Sequence, residues 1–331
     1  MKKILLIFAI SILSITNANN IKLLCKNNEN YISNSNFNKN LKITNGTDVP
    51  EGKYPWYGTV TLENNPDTTT GAGGGVLIAP DWFLTAAHVA SDFSFAQMKM
   101  KVIFGIYDKS NISHIEKRLS KKIIILGGNN YDITKDIALI QLDKPIIDIK
   151  PIKVATSNQI PKSNEIVTAI GFGISGIDKQ GKAIWPTHMQ EANIPVQDAN
   201  IAKDPKYKVS NFNPKYDFLA GTIVGKRINS SLGDSGGPLI QKINGEYIDV
   251  GIVSHGAYDW VNPLPGIYTS VGAFQNWINN YILTANNLTT FEIIAVIFGS
   301  IISLCLIISI GYFIYYDKKY HVIKKWKEKK E

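Results

Sequence analysis

Cysteine is almost absent from this chain. Its 331 residues contain only Cys25, in an asparagine-rich segment, and Cys305, inside a long apolar run. We therefore expect no disulfide bond within the chain. A domain of about 240 residues buries more than about 70% of the surface that its unfolded chain exposes, so it does not depend on covalent cross-links. The sequence predicts a fold that is stable without disulfide bonds.

A strong excess of one charge is also absent from the main part of the chain. The formal net charge is +8, but residues 317–331 contribute +4, with seven lysines against three acids. Lys2 and Lys3 contribute a further +2, which leaves +2 for residues 4–316. Because no basic patch is expected on the main domain, a nucleic-acid partner is excluded.

The N-terminal end has the pattern of a secretory signal. Lys2 and Lys3 precede an apolar run from Ile4 to Ile15, and small residues follow up to Ala18. This order predicts a signal peptide over residues 1–18, and hence secretion. Residues 19–42 are rich in asparagine and lysine and show no apolar period, which predicts a flexible propeptide.

The C-terminal end has the pattern of a membrane anchor. Residues 293–316 form a run of 24 mostly apolar residues without a charge, long enough for one transmembrane helix. A core helix is usually shorter and amphipathic. The lysine-rich tail, residues 317–331, is expected in the cytoplasm by the positive-inside rule. A clipped surface-sorting signal is the alternative, but no Leu-Pro-x-Thr-Gly precedes the run. We predict a permanent anchor, joined to the main domain by a linker over residues 284–292.

The stretch Gly233-Asp234-Ser235-Gly236-Gly237 suits a catalytic nucleophile. Small neighbours let a substrate backbone approach the serine, and consecutive amide N–H groups can face a developing oxyanion. The same stretch is also typical of a simple loop between two strands. The two interpretations differ in whether a base and a carboxylate occur elsewhere in suitable positions.

Both partners occur. His88 follows a strand-like apolar run and stands among small residues, while Asp136 opens a short apolar run of strand length. The order His88, Asp136, Ser235 matches the chymotrypsin arrangement, and Ser235 lacks the Gly-x-Ser-x-Gly of the α/β-hydrolases. The other four histidines have no comparable setting and are interpreted as surface or packing residues. They are His114, His188, His255 and His321.

From Ile43 to about Leu283 the chain resembles a trypsin/chymotrypsin-type serine protease. The resemblance is carried, in register, by Ile43-Thr44-Asn45-Gly46, Tyr54-Pro55-Trp56, Gly74-Gly75-Val76-Leu77-Ile78, Gly171-Phe172-Gly173, Val253-Ser254-His255-Gly256 and Pro265-Gly266-Ile267-Tyr268-Thr269. The chain departs from the family at Gly73 and Val89, where most members have the cysteines that bridge the histidine loop, and at His255, where tryptophan is usual. His255 could add a pH-dependent contact, although a plain role in the groove wall is the simpler interpretation.

The resemblance implies a role for each matching residue. Ser235 is the nucleophile, His88 the general base and acid, and Asp136 the carboxylate that fixes the imidazole tautomer. The amides of Gly233 and Ser235 form the oxyanion hole.

The resemblance also implies activation by proteolysis. Cleavage after Lys42 releases the ammonium group of Ile43, which pairs with Asp234 and shapes the oxyanion hole. Physically, a buried carboxylate requires such a cation, because an isolated buried charge is costly. An activating protease is therefore an expected partner.

Substrate preference rests on the residues that match the primary specificity pocket. Asn229 occupies the floor, where trypsin-like members carry aspartate, so a preference for arginine or lysine is not supported. Gly256 and Gly266 match the pocket walls and leave the pocket open, and Ser254 matches the substrate-binding strand. An open pocket with an amide floor favours large uncharged side chains.

The sequence as a whole predicts an all-β protease domain over residues 43–283. It consists of two packed six-stranded antiparallel β-barrels, with a helix at about Val271–Leu283 and one transmembrane helix beyond. The predicted function is a membrane-anchored serine endopeptidase that cleaves proteins or peptides outside the cytoplasm, without metal or cofactor. A catalytically idle homologue that serves as a binding or adhesion module is the alternative.

Overall fold

A computed structural model describes most of the chain from residue 46 onward. The described residues are 46–68, 73–95, 98–178, 180, 182–225, 227–256 and 263–328. The predicted signal peptide (1–18), the predicted propeptide (19–42) and the expected activation residues Lys42 and Ile43 lie outside them. The structure divides after Gln275 into two compact units.

The first half of the larger unit is a closed barrel. A short strand, β1 (Thr47–Asp48), precedes this barrel in the chain. The elements of the barrel are, in chain order, β2 (Tyr57–Leu62), β3 (Gly74–Ala79), β4 (Trp82–Thr85), α1 (Ala87–Phe95), β5 (Met100–Phe104), β6 (Glu116–Ile125) and β7 (Ala138–Leu142). The barrel closes in the order β2-β3-β4-β7-β6-β5, with every pair antiparallel. Two short 3-10 helices, Gly128–Asn130 and Ile133–Lys135, lead into β7.

The second half is a second closed barrel. Its strands are β8 (Lys153–Val154), β9 (Ile166–Gly171), β10 (Gly176–Ile177), β11 (Ala183–Ile184), β12 (Gln190–Gln197), β13 (Asp217–Ala220), β14 (Pro238–Ile243), β15 (Glu246–Gly256) and β16 (Gly266–Ser270). The ring β12-β13-β16-β15-β14-β9 closes because β9 also pairs with β12. Three further 3-10 helices are Ala199–Lys203, Pro205–Tyr207 and Val271–Phe274. The two predicted six-stranded antiparallel barrels are confirmed.

Side-chain volume explains one glycine of the first barrel. Phe83 and Phe104 pack edge to face inside it, with ring centroids 5.8 Å apart. Gly58 on β2 faces both rings, and a Cβ there would lie 2.8 Å from Phe83. Any larger residue would overpack this core, at a cost of roughly 1–3 kcal/mol.

Several connections join the barrels, among them a strand pairing and a hydrogen bond at the Ser235 turn. β1 pairs with β12 of the second barrel, although it precedes the first barrel in the chain. The backbone N–H of Gly74, at the start of β3, donates to the carbonyl of Ser235 over 2.8 Å. The turn that carries Ser235 is thereby tied to the first barrel.

The smaller unit belongs to one helix. Helix α2 runs from Gln275 to Glu328, so the predicted helix near residues 271–283 is present and continues without a break through residues 284–292. From Ile297 to Trp326 it is long and apolar enough to cross a membrane. Its large apolar side chains are exposed along this length. This C-terminal apolar helix fits the predicted membrane anchor.

Candidate active site

The best-defined feature of the cleft is the contact between Asp136 and His88. Asp136 ends the 3-10 turn before β7 and is fully buried. Its Oδ2 lies 2.7 Å from Nδ1 of His88, and its Oδ1 accepts the His88 backbone N–H over 2.8 Å. Because a carboxylate only accepts, Nδ1 carries the proton and Nε2 is left as the basic nitrogen.

The start of α1 positions the imidazole. His88 is the second residue of this helix, directly after β4 and the fully buried Ala86 and Ala87. Its side chain keeps 28% of its surface exposed, whereas that of Asp136 is inaccessible. The ring therefore stands at the border between the barrel core and the open cleft.

A third donor comes from the second barrel. The hydroxyl group of Ser254, on β15, donates to Oδ2 of Asp136 over 2.5 Å. Burial acts to raise the pKa of Asp136, but the hydrogen bonds from His88 and Ser254, together with the charge on His88, outweigh it and lower the pKa. Asp136 is therefore ionised at neutral pH.

The Ser235 turn lies against the strand that leads to His88. The N–H of Gly236 donates to the carbonyl of Val253 over 2.8 Å, which fixes the turn on β15. A Cβ at Gly236 would lie 2.2 Å from Oγ1 of Thr85, and its φ of 74° is a left-handed conformation. Only glycine fits this approach, which brings the turn beside the segment just before His88.

Two backbone amides of this turn belong to the predicted oxyanion hole. Gly233 has a φ of 98°, a conformation that side chains rarely adopt. Within the described part of the chain, neither the Gly233 nor the Ser235 N–H donates a hydrogen bond. The half-exposed Trp185 covers Gly233, since a Cβ there would lie 2.7 Å from the indole ring. No motif in the sequence pointed to Trp185, which reaches this place through the β10–β11 hairpin.

Asp234 points away from the cleft into a pocket of glycines. Its Oδ1 accepts the N–H of Gly173 over 2.7 Å, and its Oδ2 accepts the N–H of Ser231 over 2.8 Å. A Cβ at Gly171 would lie 2.1 Å from Oδ1, which explains the glycine there. Burial raises the pKa of Asp234 to about 6, although the two backbone bonds act against the rise.

The residues that match the specificity pocket lie together on the second barrel. Gly256 and Gly266 face each other across β15 and β16. Asn229 is buried, and its Nδ2 donates to the carbonyl of Leu264 over 2.9 Å. Its Oδ1 accepts both the hydroxyl of Tyr268 and the N–H of Ser230. Protein groups thus occupy both acceptor sites of the amide oxygen and use one of the two hydrogens on Nδ2.

His255, which is predicted as a surface or packing residue, contacts the site through Ser254. Its Nδ1 lies 2.9 Å from the Ser254 hydroxyl, and its Nε2 lies 3.3 Å from the carbonyl of Ser210. His188 instead lies 3.2 Å from Asp108. Among the described residues, no group of three or more histidine, cysteine or acidic side chains could hold a metal ion.

Comparison with known proteins places this arrangement in a family. The family model described as Trypsin matches residues 43–278. Vitamin K-dependent protein C of Mus musculus is 29% identical over 250 residues, which cover 73% of this chain and 52% of that protein. Serine protease 28 of Mus musculus is 27% identical over 258 residues, 74% of this chain and 90% of that protein.

A third relative is longer still. Serine proteinase stubble of Drosophila melanogaster is 26% identical over 253 residues, which cover 73% of this chain and 31% of that protein. The chain thus spans about half or less of two of these relatives and most of the third.

Proposed function

The chain belongs to the trypsin family of serine proteases, and we propose that it is a membrane-anchored serine endopeptidase. One observation carries the proposal: the buried, ionised Asp136 holds the Nδ1–H of His88, beside the turn that bears Ser235. We propose that Nε2 of His88 serves as the base for Ser235, as acyl transfer requires.

The proposed reaction uses each of these groups in turn. Nε2 of His88 takes the hydroxyl proton of Ser235 as Oγ attacks the carbonyl carbon of the substrate. The N–H groups of Gly233 and Ser235 stabilise the resulting oxyanion. His88 then gives its proton to the leaving amine as the C–N bond breaks. Water attacks the acyl-enzyme by the same route and releases Ser235.

Activation is proposed to require a cut after Lys42. The support is the state of Asp234, which is buried among glycines and accepts only backbone N–H groups from the described residues. A cation at this carboxylate would remove the disadvantage of ionising it. The ammonium group of Ile43, released by an activating protease, is the cation that we propose.

We also propose a preference for large uncharged side chains before the cleaved bond. The pocket residues Gly256 and Gly266 lack side chains, and Asn229 brings no charge to the floor. Most of the hydrogen-bonding capacity of Asn229 is used by Leu264, Tyr268 and Ser230. The pocket therefore offers mainly space and a single N–H. Such a pocket selects substrate side chains by size more than by polarity.

Helix α2 would hold this domain at the membrane. A secreted catalytic domain would then work close to the outer face of the bilayer, with the lysine-rich tail in the cytoplasm. Protein or peptide substrates at or near that surface would be the ones within reach.

Labelling with a fluorophosphonate probe tests the function directly. The full chain in membranes, processed to begin at Ile43, is expected to be labelled, and so is the matched Ser157→Ala variant, which loses an exposed serine outside the site. The Ser235→Ala variant is expected to remain unlabelled. No labelling of the processed chain would instead favour the idle binding module. Cleavage-site profiling of a peptide library then tests the preference, and cuts mainly after arginine or lysine would contradict it.

A further inference from the structure

A continuous chain of hydrogen bonds runs behind the catalytic carboxylate. It begins at His88, passes through Oδ2 of Asp136 to the hydroxyl of Ser254, and continues to Nδ1 of His255. Nε2 of His255 lies 3.3 Å from the carbonyl of Ser210. His255 is a half-buried residue near the end of β15, and its ring extends the chain beyond the three catalytic residues.

Counting protons gives this chain a direction. The Ser254 hydroxyl has one hydrogen, and it is donated to the ionised Asp136. The oxygen of Ser254 can therefore only accept from His255, so Nδ1 of that ring carries a proton. The Nδ1 contact, at 2.9 Å, is the shorter of the two ring contacts. In this tautomer Nε2 carries no proton, so its 3.3 Å contact with the Ser210 carbonyl is not a hydrogen bond.

Every donor in this chain of hydrogen bonds thus points towards Asp136. Hydrogen bonds that share a direction polarise and strengthen one another. With Nδ1–H of His255 donating to it, the Ser254 hydroxyl is a better donor to Asp136, and the carboxylate is less basic. A less basic carboxylate stabilises the protonated form of His88 less.

We propose that His255 is a positioning residue that acts through Ser254 to keep Asp136 a weak base and thereby keeps His88 unprotonated to lower pH. The proposal rests on the proposed protease function and adds to it a residue that does not contact the substrate's reacting atoms. It requires the donor at Nδ1 and not simply a ring in the wall of the groove.

Several groups around the ring act on its pKa, in opposite directions. Burial lowers the pKa of His255, backbone contacts at Ser210 and Asn211 and the charge on Asp136 oppose this, and the charge on His88 adds to the lowering. Burial is the largest of these contributions, and the pKa of His255 is lowered overall. Any residual positive charge on His255 would also disfavour the protonation of His88.

The test compares two variants that differ in one donor. His255→Asn keeps an N–H near the position of Nδ1, whereas His255→Phe keeps an aromatic ring without a donor. The acid limb of kcat/KM for the full chain reports the protonation of the base in the free enzyme. We expect its midpoint to rise by roughly half a pH unit in His255→Phe, about a threefold change in proton affinity. In His255→Asn most of that rise should be absent.

If His255 only forms the wall of the groove, either variant would change KM, and the midpoint of the acid limb would stay the same. Equal midpoints in the Phe and Asn variants, wherever they fall, overturn the proposal. If His255→Phe does not fold, as judged by thermal unfolding, His255→Leu replaces it as the variant without a donor.

A second readout does not depend on catalysis. Titration of the histidine Cε1–H signals by NMR, in the Ser235→Ala chain in detergent, measures the protonation of His88 directly. The same order of midpoints is expected, and equal midpoints again overturn the proposal. Because this arm uses an inactive chain, it decides the inference even when fluorophosphonate labelling refutes the protease function.

Discussion

The cleft and the pocket behind it each contain a buried aspartate, and the two differ in their donors. Asp136 is 0% exposed and Asp234 is 1% exposed. The pKa of Asp136 is lowered, whereas burial raises that of Asp234 to about 6. The two side chains are equally buried, so the difference in pKa comes from the groups that surround each carboxylate.

Asp136 receives two side-chain donors and one backbone donor, and one of the side chains, His88, can become a cation. Asp234 receives only two backbone donors from the described residues. Hydrogen-bond donors reduce the desolvation penalty of a carboxylate, and a nearby cation reduces it further. The first site is therefore complete in the described chain, and the second is suited to a cation that proteolysis would deliver.

The largest effect is expected from Asp136→Asn. Both carboxylate oxygens of Asp136 accept hydrogen bonds from His88, one from its backbone N–H and one from Nδ1. In either orientation, the NH2 group of the substituted amide would face one of these two donors. His88 would lose the acceptor that fixes its tautomer, and kcat/KM should fall by about 10⁴-fold. Steady-state kinetics of the processed full chain measure this.

Asp249→Asn is the matched control for that substitution. Asp249 is a buried aspartate on β15, and burial raises its pKa well above the usual value, which favours the neutral acid. An amide has nearly the shape of the neutral acid, and activity should stay within about twofold. Equal losses in both variants would mean that the His88 contact is not what makes Asp136 matter.

A smaller effect is expected from blocking the cut after Lys42. In Lys42→Gln no ammonium group reaches Asp234, and the Gly233 amide should not be held in the arrangement that an oxyanion needs. Loss of one oxyanion-hole donor corresponds to a decrease of about 10²–10³-fold in kcat. The rate of fluorophosphonate labelling, compared with that of the Ile43 form, measures this. Full activity of an untrimmed Lys42→Gln chain would refute the pairing of Ile43 with Asp234.

The sequence predicted the parts of this molecule that are carried by local pattern. Short apolar strands between turns predict an all-β chain, and the family resemblance implies the two barrels. His88, Asp136 and Ser235 are predicted from their order and their small neighbours. The contacts of Asn229 were not recognisable, because Leu264 and Tyr268 lie 35 and 39 residues away along the chain. Such partners depend on the strand register of the folded barrel, which no local pattern contains.

Helix α2 illustrates a second limit. Residues 284–292 are polar, so they are predicted as a linker, yet the structure has them in a helix with both neighbours. Helix propagation adds one hydrogen bond for each residue fixed, so a short polar stretch between two helical segments continues the helix. The chemistry of the two aspartates was foreseen only in outline, since their pKa directions depend on donors from distant strands.

The smallest expected effect is a pH dependence that separates the two forms of the chain. In the uncut form Asp234 has a folded pKa of about 6, above its usual 3.8. The folded state then binds more protons than the unfolded state between these values, so stability falls as pH rises through this window and is level above it. The ammonium of Ile43 would lower that pKa and remove the fall.

The advantage of the cut form should therefore be small at pH 4 and grow to about 2–3 kcal/mol by pH 7. Thermal unfolding of the Ser235→Ala chain, with and without the Lys42 cut, should show a difference of about 5–10 °C at pH 7. With Asp234→Asn added to both forms, the difference should no longer change with pH. A difference that is already complete at pH 4 would place the effect of the cut at some group other than Asp234, and the contrast between the two buried aspartates would lose its functional meaning.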